Sequence, residues 1–271
     1  MAHQLIAMYE TEHISQPHLA TFVPACKEHM KNKEATMPTR IFSNHLLDLL
    51  PDEEISQLSR AIELVDLKAG DVLFTSGDEM NYTYFPVSAT LSIHHDGIDN
   101  VLGGIAMVGK EGMAGVSFNL MTTPAIPCKA IVQIAGKCFR LSSDALLNSF
   151  KRSTDVMLII LRYTQAFLSQ MAQTALCNWS HPVDQRLARW LLVSNNLSDK
   201  TQFFVSSQKM ADMLAVTMEQ IVAAILKLEG LKLIRYTGEC FHMLDQVRLK
   251  SLSCDCYSAF KNDYQRLLPK T

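Results

Sequence analysis

The sequence predicts an α+β protein: a β-rich first half, one long helix, and a helix-turn-helix closed by a hairpin. Three observations carry that expectation. Short β-rich runs separated by glycine-containing turns fill residues 64–141. The apolar period then becomes helical and holds from residue 154 to about 177. A serine cap, a tight turn and a threonine capping box follow one another between Ser206 and Gln220.

The chain has 271 residues, 48% hydrophobic and 19% charged. That length suits about two domains with their own cores. The apolar fraction excludes wholesale disorder. The longest apolar run near the middle, residues 156–161, is far short of the ~20 residues that cross a bilayer, so no membrane contact is expected. No basic stretch followed by an apolar run opens the chain, so no signal peptide is expected. Seven irregularly spaced cysteines then read as reduced thiols in the cytoplasm.

Residues 1–40 carry scattered histidines and prolines without a sustained period, and read as a flexible extension. Cys26-x-x-His29 is half a metal site whose other half is missing. Order begins at Asn44-His45-Leu46-Leu47, and Asp52-Glu53-Glu54 opens an amphipathic helix lined by Ile55, Leu58 and Ile62. Strands are expected at 64–67, 71–74, 82–85, 90–94, 100–107, 131–133 and 138–141, as an antiparallel sandwich, roll or barrel. A short helix near 144–150 leads into the long one. There Met157, Leu161, Thr164, Leu168, Met171 and Ala175 follow a four-three spacing, an a/d seam suited to a two-stranded dimer contact. His181-Pro182 breaks that helix, and Pro182 can begin the next.

Phe203-Phe204-Val205 reads as a short strand and Ser206 as the cap of a helix ending near Leu214. Thr217 caps the next helix, Gln220 completes its capping box, and Ile221, Ala224, Ile225 and Leu228 form its buried stripe. Gly230 stops it, and a hairpin turns at Thr237-Gly238. Together these describe a winged helix-turn-helix, in which the second helix enters the major groove of DNA.

At this point the chain resembles the bacterial Crp/Fnr family of transcription regulators. The resemblance covers residues 44 to about 260. It rests on Lys68-Ala69-Gly70-Asp71-Val72-Leu73-Phe74, Val108-Gly109-Lys110-Glu111-Gly112-Met113-Ala114-Gly115, His181-Pro182-Val183-Asp184-Gln185-Arg186-Leu187-Ala188-Arg189-Trp190 and Cys254-Asp255-Cys256-Tyr257, among other segments. It implies a cyclic-nucleotide-binding-like β-roll sensor at 41–152, a dimerisation helix and hinge at 153–180, and a winged helix at 181–271 that binds palindromic double-stranded DNA as a homodimer. It implies a small-molecule effector, left unnamed by the sequence, or none.

Departures from the family pattern are informative. The expected effector pocket falls on Gly112, Gly115, Val116, Cys128 and Lys129. Val116 stands where the family's ribose-binding Glu belongs and Cys128 where its phosphate-binding Arg belongs. A phosphate without that fork loses charge-assisted hydrogen bonds, and Lys129 projects to the other face of the strand, so tight cyclic-AMP binding is not expected. Cysteines are too scattered for an iron–sulfur cluster. His94-His95 are expected to face opposite ways on a solvated turn and give haem no support. The DNA-reading helix opens Thr217-Met218-Glu219-Gln220, with Met218 and Ala223 where Arg is common in the family. Ser206, Ser207, Lys209, Thr217 and Lys227 are the expected phosphate contacts, with Glu219 and Gln220 as base readers. No cofactor and no metal is expected: one residue between Cys254 and Cys256 is too few for a CxxC knuckle, and no second pair lies nearby in sequence.

Formal charge is −2 overall but divides unevenly. Residues 1–180 hold 13 basic and 18 acidic side chains, net −5, and residues 181–271 hold 12 and 9, net +3. A modest basic excess therefore sits in the winged-helix half. The leading expectation is a DNA-binding regulator. The alternative is a protein-interaction module whose winged helix has lost sequence reading. No nucleophile elbow, zincin helix, Walker loop or dinucleotide fingerprint is present, so an enzyme is not expected.

Overall fold

The structure, a computed structural model, describes residues 42–96, 102–115, 128–198 and 200–269. The expected extension at 1–40 and Val116 lie outside the described residues. Two short helices come first, α1 (His45–Leu49) and α2 (Asp52–Leu58). Asn44 explains where α1 starts: its Oδ1 accepts from the Leu46 and Leu47 amides, while its Nδ2 donates to the Pro86 carbonyl at 2.8 Å and the Gly112 carbonyl at 2.9 Å. One buried amide thus ties the helix to two loops of the strand region.

Seven strands follow: β1 (Ile62–Leu67), β2 (Val72–Phe74), β3 (Tyr82–Pro86), β4 (Thr90–Asp96), β5 (Leu102–Val108), β6 (Cys128–Ile134) and β7 (Gly136–Ser142). They pair antiparallel in two sheets, ordered β1-β7-β3 and β2-β6-β4-β5. Inward residues alternate along β6, where Cys128, Ala130 and Val132 are buried and Lys129 and Ile131 are half-buried. With Phe74, Leu91, Ile93, Ala106 and Val108 they fill the core between the sheets.

The helical half begins with α3 (Ser143–Arg152), capped by Ser142. Next come α4 (Thr154–Ser180), capped by Ser153, and α5 (Val183–Ser198). At 27 residues α4 is about 40 Å long. It ends one turn later than the sequence pattern implies, at an extended His181. A three-stranded sheet, β8 (Gln202–Phe204), β9 (Ile234–Thr237) and β10 (Cys240–Met243), is ordered β8-β10-β9 and brackets α6 (Ser207–Leu214) and α7 (Met218–Gly230). The chain closes with α8 (Gln246–Leu252) and α9 (Cys256–Leu267). The hairpin turns at Gly238-Glu239, with φ of 58° and 62°, one position beyond the turn expected from sequence. Paired positive φ values match the right-handed twist of a tight hairpin.

One core cluster runs through both halves. It joins Leu47, Phe85, Met107 and Tyr163 to Leu191, Met210, Ile221 and Phe241. Two glycines permit the close approach. A Cβ on Gly104 of β5 would lie 2.7 Å from Met213 Cε and 2.8 Å from the Met213 carbonyl oxygen. One on Gly109 would lie 2.5 Å from Leu197 Cβ.

Candidate nucleic-acid interface and sensor pocket

The helix-turn-helix forms for local reasons. Ser206 Oγ accepts from the Lys209 amide at 3.3 Å and starts α6. Ala215 ends it in the left-handed region, φ 49°, so that α7 can set off in a new direction. The capping box is complete: Gln220 Oε1 accepts from the Thr217 amide at 3.0 Å, and Thr217 Oγ1 accepts from the Gln220 amide at 3.4 Å. Ile221, Ala224, Ile225 and Leu228 are buried, as the stripe requires. The opposite face of α7 exposes Glu219, Gln220, Ala223, Leu226 and Lys227.

Several of the expected DNA contacts have other engagements. Lys227 Nζ lies 2.5 Å from Asp184 Oδ2 in the first turn of α5, so its charge is already compensated. Lys209 Nζ sits against Gly70, in the turn between β1 and β2; a Cβ there would be 3.7 Å from it. Ser206 and Thr217 are caps, and Ser207 is half-buried at the first position of α6. Met218 packs half-buried against the core. Gln220 reads adenine bidentately only with the same Oε1 that holds its cap, so its structural role competes with base reading. Glu219 stays exposed on the reading face. The wing tip carries the exposed Glu239, and Arg235 is exposed on β9.

The sensor pocket residues are only partly assembled in the described chain. Gly112 lies under the Tyr163 ring of α4, where a Cβ would meet Tyr163 Cε2 at 2.8 Å. Tyr163 Oη donates to the Met113 carbonyl at 2.6 Å, and burial pushes its phenol pKa up. The glycine turn is therefore bonded directly to the long helix. Gly115 has φ 101°, and its Cα faces Met80. Cys128 is buried in the roll core, and Lys129 faces the other side of β6, as expected. His94 and His95 do face opposite ways, but His94 is buried, with Nε2 2.9 Å from Ser92 Oγ, which corrects the solvated turn expected for it. A separate cavity of about 30 Å³ lies between β5, α4, α5 and α6, lined by Gly104, Met107, Gln170, Arg189, Trp190 and Met213. It has room for a water or two and not for a nucleotide.

The seam expected on α4 shares half of its residues with the exposed face of that helix. Val156, Ile160, Tyr163, Ala166, Gln170 and Cys177 face the protein's own core. Of the expected seam residues, Leu161, Leu168 and Ala175 are exposed, whereas Met157, Thr164 and Met171 are half-buried. The exposed stripe instead runs Leu158, Leu161, Gln165, Leu168, Ala172, Ala175, Trp179, again in a three-four spacing. Trp179 is 90% exposed.

A two-sheet roll, a long helix and a winged helix-turn-helix in this order define the fold of Crp/Fnr transcription regulators. Solved structures show it directly. A protein from Eubacterium rectale assigned to the Crp/Fnr family aligns with TM-score 0.61 and 14% identity over 78% of this chain and 98% of that one. FixK2 from Bradyrhizobium japonicum gives 0.59 and 16% over 71% and 98%. The c-di-GMP-responsive regulator CLP of Xanthomonas campestris gives 0.58 and 16% over 71% and 99%. No family model and no curated protein matches the sequence. Among the described residues no helix is long and apolar enough to cross a membrane.

Proposed function

We propose that the chain is a homodimeric DNA-binding transcription regulator. Its dimer forms along the exposed stripe of α4, and its paired α7 helices address a palindromic site. The observation that carries the reading is the winged helix-turn-helix, with its capping box closed and one face of α7 exposed. The protein works in the cytoplasm and catalyses no reaction. Regulation acts through the break at His181-Pro182, at the end of the hinge expected over 178–182, about which the winged helix reorients. An effector shifts that equilibrium only as far as it binds the two orientations unequally. Cyclic AMP is not that effector, because Cys128 fills the roll core where a phosphate-binding Arg belongs; micromolar binding in a calorimetric titration overturns this.

A second reading is favoured by one specific observation. The α7 face carries Ala223 and Leu226, the latter 41% exposed, and its Lys227 is paired with Asp184. Such a face suits a protein partner better than a phosphate backbone. In vitro selection from random duplexes separates the two readings. An enriched palindrome supports the regulator. Sequence-blind, steeply salt-dependent binding, or none, supports the interaction module.

A further inference from the structure

Four side chains capable of holding a metal converge where α4 gives way to α5. Cys177 and His181 lie one helical turn apart at the end of α4, and His181 is the helix cap, its amide donating to the Cys177 carbonyl at 3.1 Å. Cys254 lies between α8 and α9, and Cys256, one residue beyond Asp255, is the first residue of α9. Three sulfurs and one imidazole nitrogen all lie within 4.8 Å of one another. The Cys177 and Cys254 sulfurs are 3.5 Å apart, and Cys256 Sγ is 3.6 Å from His181 Nδ1. Zinc–thiolate bonds of ~2.3 Å and zinc–imidazole bonds of ~2.0 Å give tetrahedral edges of about 3.5–3.8 Å. The two measured edges already have that length without rearrangement.

We propose that Cys177, His181, Cys254 and Cys256 form a Cys3His site for a thiophilic divalent cation of the zinc class, which clamps the end of the long helix to the C-terminal helices. The chemistry of the donors supports this choice. Soft thiolates with one imidazole select zinc over oxygen-seeking magnesium or calcium. The three thiols are buried and cluster together apart from the main core, and His181 is half-buried. All four positions are filled by protein, as in a structural rather than a catalytic site. An outer partner is in place: Gln173 Nε2 donates to Cys256 Sγ at 2.9 Å. Three thiolates on a dication leave one net negative charge. Binding displaces the thiol protons to solvent and changes no oxidation state. The clamp spans the break between α4 and α5, so metal occupancy fixes the angle at which the long helix meets the winged helix. That consequence rests on the regulator reading; the site itself does not.

The test uses the full-length protein, reduced and stripped of metal, titrated with Co2+ and then Zn2+. One ion per chain is expected. The Co2+ form is expected to show the strong visible bands of a tetrahedral, thiolate-rich centre, and stoichiometric Zn2+ to bleach them. Gln173→Leu, which removes only the outer hydrogen bond, is expected to weaken binding about 10–100-fold. Cys177→Ser and Cys256→Ser are expected to weaken it more than that. Cys138→Ser, a buried thiol in the strand region, leaves binding unchanged, and circular dichroism checks that each variant folds. Absence of the bands, a pale octahedral spectrum, or a Cys254→Ser variant that folds and binds as well as wild type overturns the proposal. So does a native Cys177–Cys254 disulfide found by mass spectrometry under anaerobic purification. DNA selection run in parallel keeps failure of the regulator reading separate from failure of the metal site.

Discussion

Replacing Leu168 by Lys tests the dimer face proposed for α4. Leu168 is 54% exposed, and its neighbours on the stripe, Leu158 and Leu161, are 42% and 48% exposed. Full burial of a leucine is worth roughly 1.5–3 kcal/mol, so the half still exposed contributes about 1 kcal/mol per copy. A symmetric seam contains Leu168 twice, giving about 2 kcal/mol per dimer. An ammonium forced into that seam adds a desolvation penalty of about 2 kcal/mol more. The total of about 4 kcal/mol corresponds to a dissociation constant about 1000-fold weaker. Sedimentation velocity across a concentration series reads it directly, and the fold is expected to survive because Leu168 is exposed rather than part of the buried core. Ala172→Lys is expected to act in the same direction, since Ala172 sits on the exposed stripe and not on the seam first read from spacing. A Leu168→Lys protein that sediments as wild type does at every concentration refutes the assignment of this face.

Other substitutions probe separate contacts. Gly104→Ala drives a Cβ into the Met213 carbonyl, so α6 is expected to separate from β5 at a cost of about 1–3 kcal/mol, read as faster hydrogen exchange in α6. Glu54 is held below the usual carboxylate range by its hydrogen bond from Arg152, with Nη2 2.6 Å from Oε2, and by Ser149 Oγ at 2.5 Å. Its contribution is therefore full above the unfolded glutamate pKa near ~4.3 and is lost as pH falls through the lower folded value. Acid titration of stability is expected to lose that component in Glu54→Gln, and an unchanged profile counts against the linkage. Glu239→Lys at the wing tip is expected to raise affinity for duplex DNA and steepen its salt dependence by about one unit of slope, provided the wing meets phosphates.

The parts of the fold written in local chemistry were legible. Ser206, Thr217 and Gln220 place caps within a few residues of the amides they satisfy, and Pro182 and the turn glycines mark breaks. The exposed stripe of α4 was legible only in part, at Leu161, Leu168 and Ala175 but not at Leu158, Gln165 and Ala172, because both faces of that helix carry apolar residues. Spacing reports a heptad, and only the packing of Val156, Ile160 and Tyr163 decides which face the protein's own core takes. The engagement of Lys227 was invisible because Asp184 lies 43 residues away in sequence. The thiol–imidazole cluster was missed for the same reason. Cys254-x-Cys256 looked like a lone pair, while its complement sits 77 residues upstream of Cys254. The available signal was Cys177-x-x-x-His181, a helical-turn spacing that puts two ligands on one face.

If the chain acts as the regulator proposed above, the contacts across the α4–α5 break constrain how it switches. On one side, Gly104 and Gly109 let β5 and the loop after it press onto Met213 and Leu197, and Lys200 Nζ donates to the Ala135 carbonyl at 2.9 Å. On the other side, the Cys177, His181, Cys254 and Cys256 cluster binds the end of α4 to α9, and Ser169 and Asp263 hydrogen-bond further along the same helix pair. Rotating the winged helix away from β5 exposes Met213 and opens the shared core. Moving it about α4 strains the cluster. The two restraints differ in kind. Apolar packing is graded and responds to anything that reshapes β5, whereas a filled tetrahedral site is close to all-or-none. On that reading, an effector in the roll would reach the winged helix through Gly104 and Met213, and occupancy of the proposed metal site would set how much of that displacement α9 can follow. On the regulator reading the α7 surface keeps its charge when the winged helix turns, because Lys209 on α6 is already exposed beside Gly70 and Lys227 is paired with Asp184 inside the same half of the chain; what changes is its angle.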